Sequence, residues 1–409
     1  NTTSSRIVEL YYSYSSISNS LICDNVCTTS TEPIHLYDRA TMRNCTVVRN
    51  SVTGAKVVSM NNAVLSNSII VGNTLSVSSS EGILASNTSD VVTNNLLQNT
   101  FVTGNFNGTM EHAAFTDAEN GDYSLSAKSY GINAGADVTD SLDFFKKPRK
   151  QGGAVDMGAI ESPHTVAPAI KCGEIVYVKA GAKGDGSSWQ SPFGDIQSAM
   201  FAASVDGKRH QIWVATGTYY GDTTLSSVVN LASGISLYGG FAGNETSLAA
   251  RDTVKNPTIL DGQGKRGVIA QNYRFVDSMA VVVDGFTIRN GYAQKGAGLY
   301  INENATINNC IIRGNKASKQ GSAIYAYRSI IKNSQIVDNT CESNMRYTIY
   351  LYEGVMDSCA VKNNTCDNVC AIYGDRGSSI SNCVLEGNRT SSDASTKGSY
   401  FYSANVSGC

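Results

Sequence analysis

Apolar and polar positions alternate with a period of two in short bursts, and the bursts recur about every 25 residues. The stretch TINNCIIRGN, Thr306 to Asn315, is repeated as IKNSQIVDN ending at Asn339, MDSCAVKNN ending at Asn364 and ISNCVLEGN ending at Asn388. It is repeated again as ISNSLICDN ending at Asn25, MRNCTVVRN ending at Asn50 and LSNSIIVGN ending at Asn73. Five positions before each asparagine stands a small side chain: Cys310, Ser334, Cys359, Cys383, Ser20, Cys45 and Ser68. Tyrosines run in step, at 300, 325, 350, 373 and 400 and again at 11 and 37. Markers sharing one period define one structural unit per repeat, and a unit this short cannot close a core alone, so it must stack. Cys310 and Ile312, Cys359 and Val361, and Cys383 and Leu385 alternate with Arg313, Lys362 and Glu386. That pattern predicts strands with one face in and one face out.

The predicted fold is all-β: a right-handed parallel β-helix of about 25 residues per coil, with like residues stacked about 4.8 Å apart. An inward amide can then bond to its copies above and below. This predicts a structural ladder of Asn25, Asn50, Asn73, Asn315, Asn339, Asn364 and Asn388, beside one of Cys45, Cys310, Cys359 and Cys383 acting as small buried hydrophobes. Cys341 and Cys366 occupy equivalent places in adjacent coils, close enough to be bridged. Between Asp195 and Ala203, apolar Ile196, Ala199, Met200 and Ala203 follow helical spacing and predict a short amphipathic helix capping the first coil.

Composition fits many short strands joined by turns: 38 Gly, 6 Pro and abundant Ser, Thr and Asn. Charged residues are 16% and the formal net charge is -2, so the balance calls for neither nucleic acid nor an anionic membrane. No apolar run is long enough for a membrane span. The expected organisation is residues 1–163 as the C-terminal half of a β-helix with a closing segment, 164–171 as linker, and 172–409 as capping helix and N-terminal half.

GSSWQSPFGDIQSAM, IWVATGTYYG, LYGGFAGNETSLAARD, NPTILDG and DGFTIRNG resemble the opening of secreted β-helix proteins of the polymorphic outer-membrane-protein-repeat and choice-of-anchor type, common in Bacteroidetes. YSLSAKSYGINAGA and GGAVDMGAIE resemble their closing segment. The resemblance implies an extracellular or cell-surface β-helix without assigned chemistry. Closing and opening segments stand here in the reverse of that order. If Asn1 is a ladder asparagine, four residues between Cys409 and Asn1 would keep every marker in phase. The two halves then read as one β-helix: the end of one chain or repeat continues into the start of the next. The expected assembly edge comprises Asn1, Ile7, Leu10, Tyr11, Tyr400, Val406 and Cys409.

An enzyme is the rival class, since β-helices also carry polysaccharide lyases and hydrolases. Such sites need paired carboxylates, or an acidic cluster with a basic residue, on one face. The outward in-register charges Asp338, Lys362, Glu386 and Arg49 are mixed in sign, one per coil. Asp140, Asp143, Asp156 and Glu161 lie beside Lys146, Lys147, Arg149 and Lys150, a pattern that reads as a loop held by ion pairs. No nucleophile elbow, phosphate loop or metal motif occurs. The expectation is a non-enzymatic structural subunit of an extracellular fibre or adhesive stalk, without cofactor, catalytic residues or metal. Its partners are itself, head to tail, and surface glycans. The alternative is a carbohydrate-binding or carbohydrate-cleaving β-helix, with Tyr327, Tyr352 and Tyr402 as an aromatic strip.

Overall fold

A computed structural model describes residues 2–28, 32–54, 56–76, 83–85, 89–98, 105–108, 110–166, 173–204, 209–221, 227–271, 280–342, 347–366, 371–390, 399–402 and 404–409. The chain is a parallel β-solenoid with about 25 residues per turn, divided into two compact units, Asn1–Ile170 and Lys171–Cys409. The division falls inside the expected 164–171 linker, most of which lies outside the described residues.

One coil of the second unit shows the plan. Strand Ala305–Asn308 is followed by Ile311–Arg313, Lys316–Gln320 and Ile324–Tyr327, and the next coil begins at Ile330–Lys332. Each strand pairs in parallel with its counterpart one coil on: Ile307 with Ile331, Ile312 with Ile336, Ala317 with Cys341, Tyr325 with Tyr350. The inward residues Ile307, Ile312, Ile331, Ile336 and Val361 are fully buried, so the core is a column one side chain deep per coil.

The corners explain the repeat. Asn309, Asn333, Ser358 and Asn382 stand immediately before the Cys/Ser ladder, all with φ near +50°. Gly314, Asp338, Asn363 and Gly387 stand before the Asn ladder with φ between 55° and 64°. A left-handed residue turns the chain while the next points inward, and Asn, Asp and Gly tolerate that conformation best.

The helix Ile196–Ser204 buries Ile196, Ala199, Met200, Phe201 and Ala203 against Ile175–Val178, an edge strand of a nine-stranded sheet, and its neighbour His210–Ala215. Asp195 caps it, accepting from the Ser198 backbone N–H at 2.8 Å.

In the first unit, the strands Thr46–Val48 and Ile69–Val71 are buried on both faces, unlike their alternating counterparts in the second unit. Residues 110–162 form the cover. Tyr123, Leu125, Ile132, Met157 and Ile160 are buried there, and the Ala159 N–H donates to Thr46 Oγ1 at 2.9 Å. Gly158 permits this approach: its φ is +89°, and a Cβ there would lie 2.7 Å from Thr46 Oγ1.

Candidate functional site

The expected ladders are present as continuous hydrogen-bonded columns. Asn315 donates from Nδ2 to Asn339 Oδ1 at 3.0 Å, Asn339 to Asn364 at 2.9 Å and Asn364 to Asn388 at 2.9 Å. Asn25 donates to Asn50 and Asn50 to Asn73 in the same way, each at 2.9 Å. Each acceptor Oδ1 also takes the backbone N–H of the preceding asparagine, as Asn339 Oδ1 does from Asn315 at 3.0 Å. The second Nδ2 hydrogen goes to a carbonyl one coil back, from Asn339 to Ile312 and from Asn364 to Ile336. Gln98 ends the first-unit column, accepting from the Asn73 N–H at 2.8 Å. At Asn95 and Asn105 the Cys/Ser position is itself asparagine, and those two amides pair at 2.7 Å. The first member of that pair, Asn95, is hard to read in NNLLQN, because the adjacent Asn94 obscures the phase.

Cys45, Cys310, Cys359 and Cys383 are buried, and each thiol faces the carbonyl two residues earlier at 3.1–3.3 Å. Ser334 and Ser68 make the same bond with a hydroxyl. Burial pushes the Cys45 and Cys310 thiols up to about 12, so both stay protonated and inert at neutral pH. Cys341 and Cys366 form a disulfide, with Cα atoms 4.8 Å apart.

The tyrosines depart from the expected single file. Tyr37 is the fourth residue of Ile34–Tyr37, whereas Tyr325 is the second of Ile324–Tyr327. Both point outward, but in different outward rows: side chains alternate with period two, so repeat spacing alone cannot separate them. Tyr11 pairs with Tyr37, which places both in the row that corresponds to Tyr327 and Tyr352. Tyr300, Tyr325, Tyr350 and Tyr373 stack with ring centroids 4.7–5.5 Å apart and interplanar angles of 4–11°. Within the file, Tyr325 and Tyr350 each have a neighbouring ring stacked on both faces.

Outward charges are spent on neighbouring coils. Lys362 pairs with Glu386 at 2.7 Å, Arg49 with Asp24 at 2.9 Å, and Arg328 bridges Glu303 and Glu353. Asp338 is a left-handed corner residue. Among the described residues, no group of three or more His, Cys, Asp or Glu is placed to hold a metal ion.

The acidic cluster of the closing segment is a buried lock. Asp143, Arg149, Asp156 and Glu161 are each at most 3% exposed. Asp143 accepts backbone N–H groups from Phe145, Lys147 and Glu161, and Asp156 from Asn133 and Ser162. Arg149 donates to the Asp156 and Gly158 carbonyls and lies 3.8 Å from Glu161. Burial, then the Asp156 carboxylate, push Glu161 up to about 7. Asp140 receives Arg43, Asn19 and Asn44, so the segment is strapped to the coil corners.

Of the expected assembly edge, Asn1 and the side chain of Tyr400 lie outside the described residues. Ile7 and Leu10 are half-buried against the first-unit core. Tyr11, Val406 and Cys409 are exposed. Strands Thr2–Thr3, Val8–Tyr11, Ser16–Ser18 and Leu21–Cys23 are each outermost in their sheets, as are Val384–Glu386, Arg389–Thr390, Tyr400–Tyr402 and Asn405–Ser407 in the second unit. Leu385 and Val406 continue inward columns, yet they are 38% and 44% exposed where their partners Val361 and Ile380 are fully buried.

Residues 180–391, more than half of the chain, match the family described as "Protein of unknown function (DUF1565)". The chain belongs to the DUF1565 family. DUF1565 is a β-helix family, which agrees with the coils described above. No curated protein matches this DUF1565 chain.

Proposed function

We propose that the chain is a non-enzymatic structural segment of an extracellular fibre or adhesive surface stalk, of the polymorphic outer-membrane-protein-repeat type. In this reading a 171–409-like unit is continued by a 1–170-like unit of the next subunit or tandem repeat. The observation that carries it is the match between two open coils. Both have the same strand order and the same corner chemistry, and core side chains are left exposed at the outer one, Leu385 and Val406. Extending the observed registers puts Arg389 beside Thr2, Tyr402 beside Tyr11 and Ser407 beside Ser18. One strand position then separates Val384–Glu386 from Leu21–Cys23, the length of a four-residue connector. Burying such edges removes unpaired backbone groups and apolar surface together, and a heterologous contact of this kind propagates as a filament.

The Cys341–Cys366 bridge supports an oxidising, extracellular setting. Surface glycans are the proposed target of an adhesive stalk. The carbohydrate-cleaving alternative draws less support, because the outward carboxylates of Asp24, Glu303, Glu353 and Glu386 are paired with cations and the stacked tyrosines cover one another. Negative-stain electron microscopy of natively isolated protein, with intact mass under reducing, denaturing conditions, tests the reading. Filaments dissolving into chains near 43.4 kDa are expected for a polymer, and filaments of one much longer polypeptide for tandem repeats. Compact single particles that alter a polysaccharide would replace it with the enzyme reading.

A further inference from the structure

The closing segment of the first unit carries a turn whose apex runs against ordinary turn chemistry. The chain leading to it is strapped to four left-handed corner asparagines: Asn94 Nδ2 donates to the Ala134 carbonyl, Asn67 pairs with Ala136 through both its amide atoms, and Asn44 and Asn19 both donate to Asp140. Leu142 then bridges Pro148, with Phe144, Phe145 and Lys146 at the apex between them. Turns favour Gly, Pro, Asn, Asp and Ser, and Lys146 holds a left-handed φ of 64° that suits Gly or Asn. Leu142, Phe144 and Phe145 are 44%, 40% and 55% exposed, and the two phenylalanine rings pack edge to face with centroids 5.1 Å apart. Lys146 and Lys147 are exposed beside them. Among the described residues neither lysine has a carboxylate partner, whereas the nearby Lys150 is matched to Asp137 at 2.7 Å.

The backbone of this tip is closed from inside. The Asp143 N–H donates to the Lys147 carbonyl, Phe144 to Ala159, Lys146 to Asp143 and Arg149 to Ser141, at 2.9–3.1 Å. The Phe145 and Lys147 N–H groups both go to Asp143 Oδ1, at 2.9 and 2.8 Å, and Pro148 has no N–H. From Asp143 to Arg149, therefore, no backbone donor depends on water, and the apex can leave water without the usual cost of stranding one. We propose that this tip inserts into the interface of an anionic lipid surface. Phe144, Phe145 and Leu142 enter the boundary between headgroups and acyl chains, while Lys146 and Lys147 reach the lipid phosphates with their stems along the apolar edge. The chemistry favours lipid over a protein groove. A groove would reward directional bonds that this backbone no longer offers, whereas a bilayer supplies apolar depth and diffuse negative charge, which two unpaired lysines beside two phenylalanines match. The buried Asp143 and Arg149 and the asparagine straps hold the turn in place, so little ordering is left to lose on insertion. With a formal net charge of -2 the chain as a whole is not drawn to anions, which confines the contact to the tip. The proposal stands apart from the head-to-tail reading.

The test is co-sedimentation of the 409-residue chain with vesicles of phosphatidylcholine alone, or of phosphatidylcholine and phosphatidylglycerol in equal parts. The expected result is binding to the anionic vesicles that weakens with salt. Phe144→Ser with Phe145→Ser should lower the partition coefficient about tenfold or more, and Lys146→Gln with Lys147→Gln by a similar factor of about ten or more. Circular dichroism checks that each variant remains folded. No binding by the wild-type chain, equal binding to both vesicle types, or full binding by the folded serine pair overturns the proposal. A wild-type chain that ignores vesicles but self-associates through Phe144 and Phe145 assigns the tip to a protein partner and overturns it too. Should the serine pair unfold the segment, Phe145→Trp decides. Its emission is compared with that of the wild-type chain, whose two tryptophans, Trp189 and Trp213, belong to the second unit. A blue shift on anionic vesicles with quenching by bromine-labelled phospholipid is the expected result, and unchanged emission sinks the insertion.

Discussion

Replacing Asn339 by alanine removes the middle rung of the longest asparagine column. Its fully buried amide takes part in five hydrogen bonds: Oδ1 accepts the Asn315 N–H and Nδ2, and its own Nδ2 serves the Ile312 and Val337 carbonyls and Asn364 Oδ1. The substitution leaves the Asn315 N–H and one Asn315 Nδ2 hydrogen without partners in a dry corner. The Asn315 amide keeps the Ile288 carbonyl, and Asn364 Oδ1 keeps the Asn339 N–H. Two orphaned buried donors, at about 1–3 kcal/mol each, give about 2–6 kcal/mol in all. Asn388→Ala at the half-exposed end of the column should cost only about 1 kcal/mol, because water replaces the amide there. Solenoids unfold by coils, so the readout is native-state hydrogen exchange of the coils from 305 to 364 rather than one melting point. Cys359→Ser is the control, since Ser334 and Ser68 already make the bond to the carbonyl two residues back. A cost for Asn339→Ala under about 1 kcal/mol, or equal costs for Asn339→Ala and Asn388→Ala, would refute the ladder as a source of stability.

Ser358 alone among the second-unit corner residues preceding Cys310, Ser334, Cys359 and Cys383 is not asparagine, although its φ is 53°; Ser358→Asn should stabilise its coil by about 0.5–1 kcal/mol in the same exchange assay. Reducing Cys341–Cys366, which closes a loop of 25 residues, should cost about 2–4 kcal/mol and loosen the coils from 316 to 366 first, as read by proteolysis with and without reductant. Glu161 is raised in the folded state, so the protonated form is the one favoured by folding. That contribution is full below the unfolded carboxyl range and is lost as pH rises through about 7. Denaturation of the first unit should therefore show a loss of about 1–2 kcal/mol between pH 5 and 8, and Glu161→Gln should flatten that slope.

Much of this fold is legible in the sequence because a solenoid stacks like on like: the Asn and Cys/Ser positions recur in register, and period-two alternation shows which residues face inward. The positions between the markers carry the rest, and they are harder to read. The left-handed residue before each marker, Asn, Asp or Gly except at Ser358 and Arg49, is the real corner residue, and in the first unit Asn19, Asn44, Asn67 and Asn94 also grip the closing segment. The runs TVV and IIV lack alternation, the signature of a strand covered on both faces, and so announce that cover. Spacing alone puts Tyr37 in the wrong outward row, because residues two apart along a strand share a face. The acidic and basic residues of 140–161 suggest a loop held by ion pairs. In the fold their carboxylates are satisfied mostly by backbone N–H groups, with Arg149 the one cation buried among them.

Head-to-tail continuation fixes a register between two units, and disulfide trapping reads that register directly. Ser18→Cys with Ser407→Cys, in a chain also carrying Cys409→Ser, places two thiols side by side only if Asn405–Ser407 of one copy pairs with Ser16–Ser18 of the next. Stacked positions have the separation seen at Cys341–Cys366. Mild oxidation is predicted to give a ladder of covalent multimers on a non-reducing gel, collapsing to single chains with reductant, while Ser18→Cys with Asn405→Cys, two residues out of register, gives far fewer. Monomers alone, or equal ladders from both pairs, would contradict head-to-tail continuation of the β-helix.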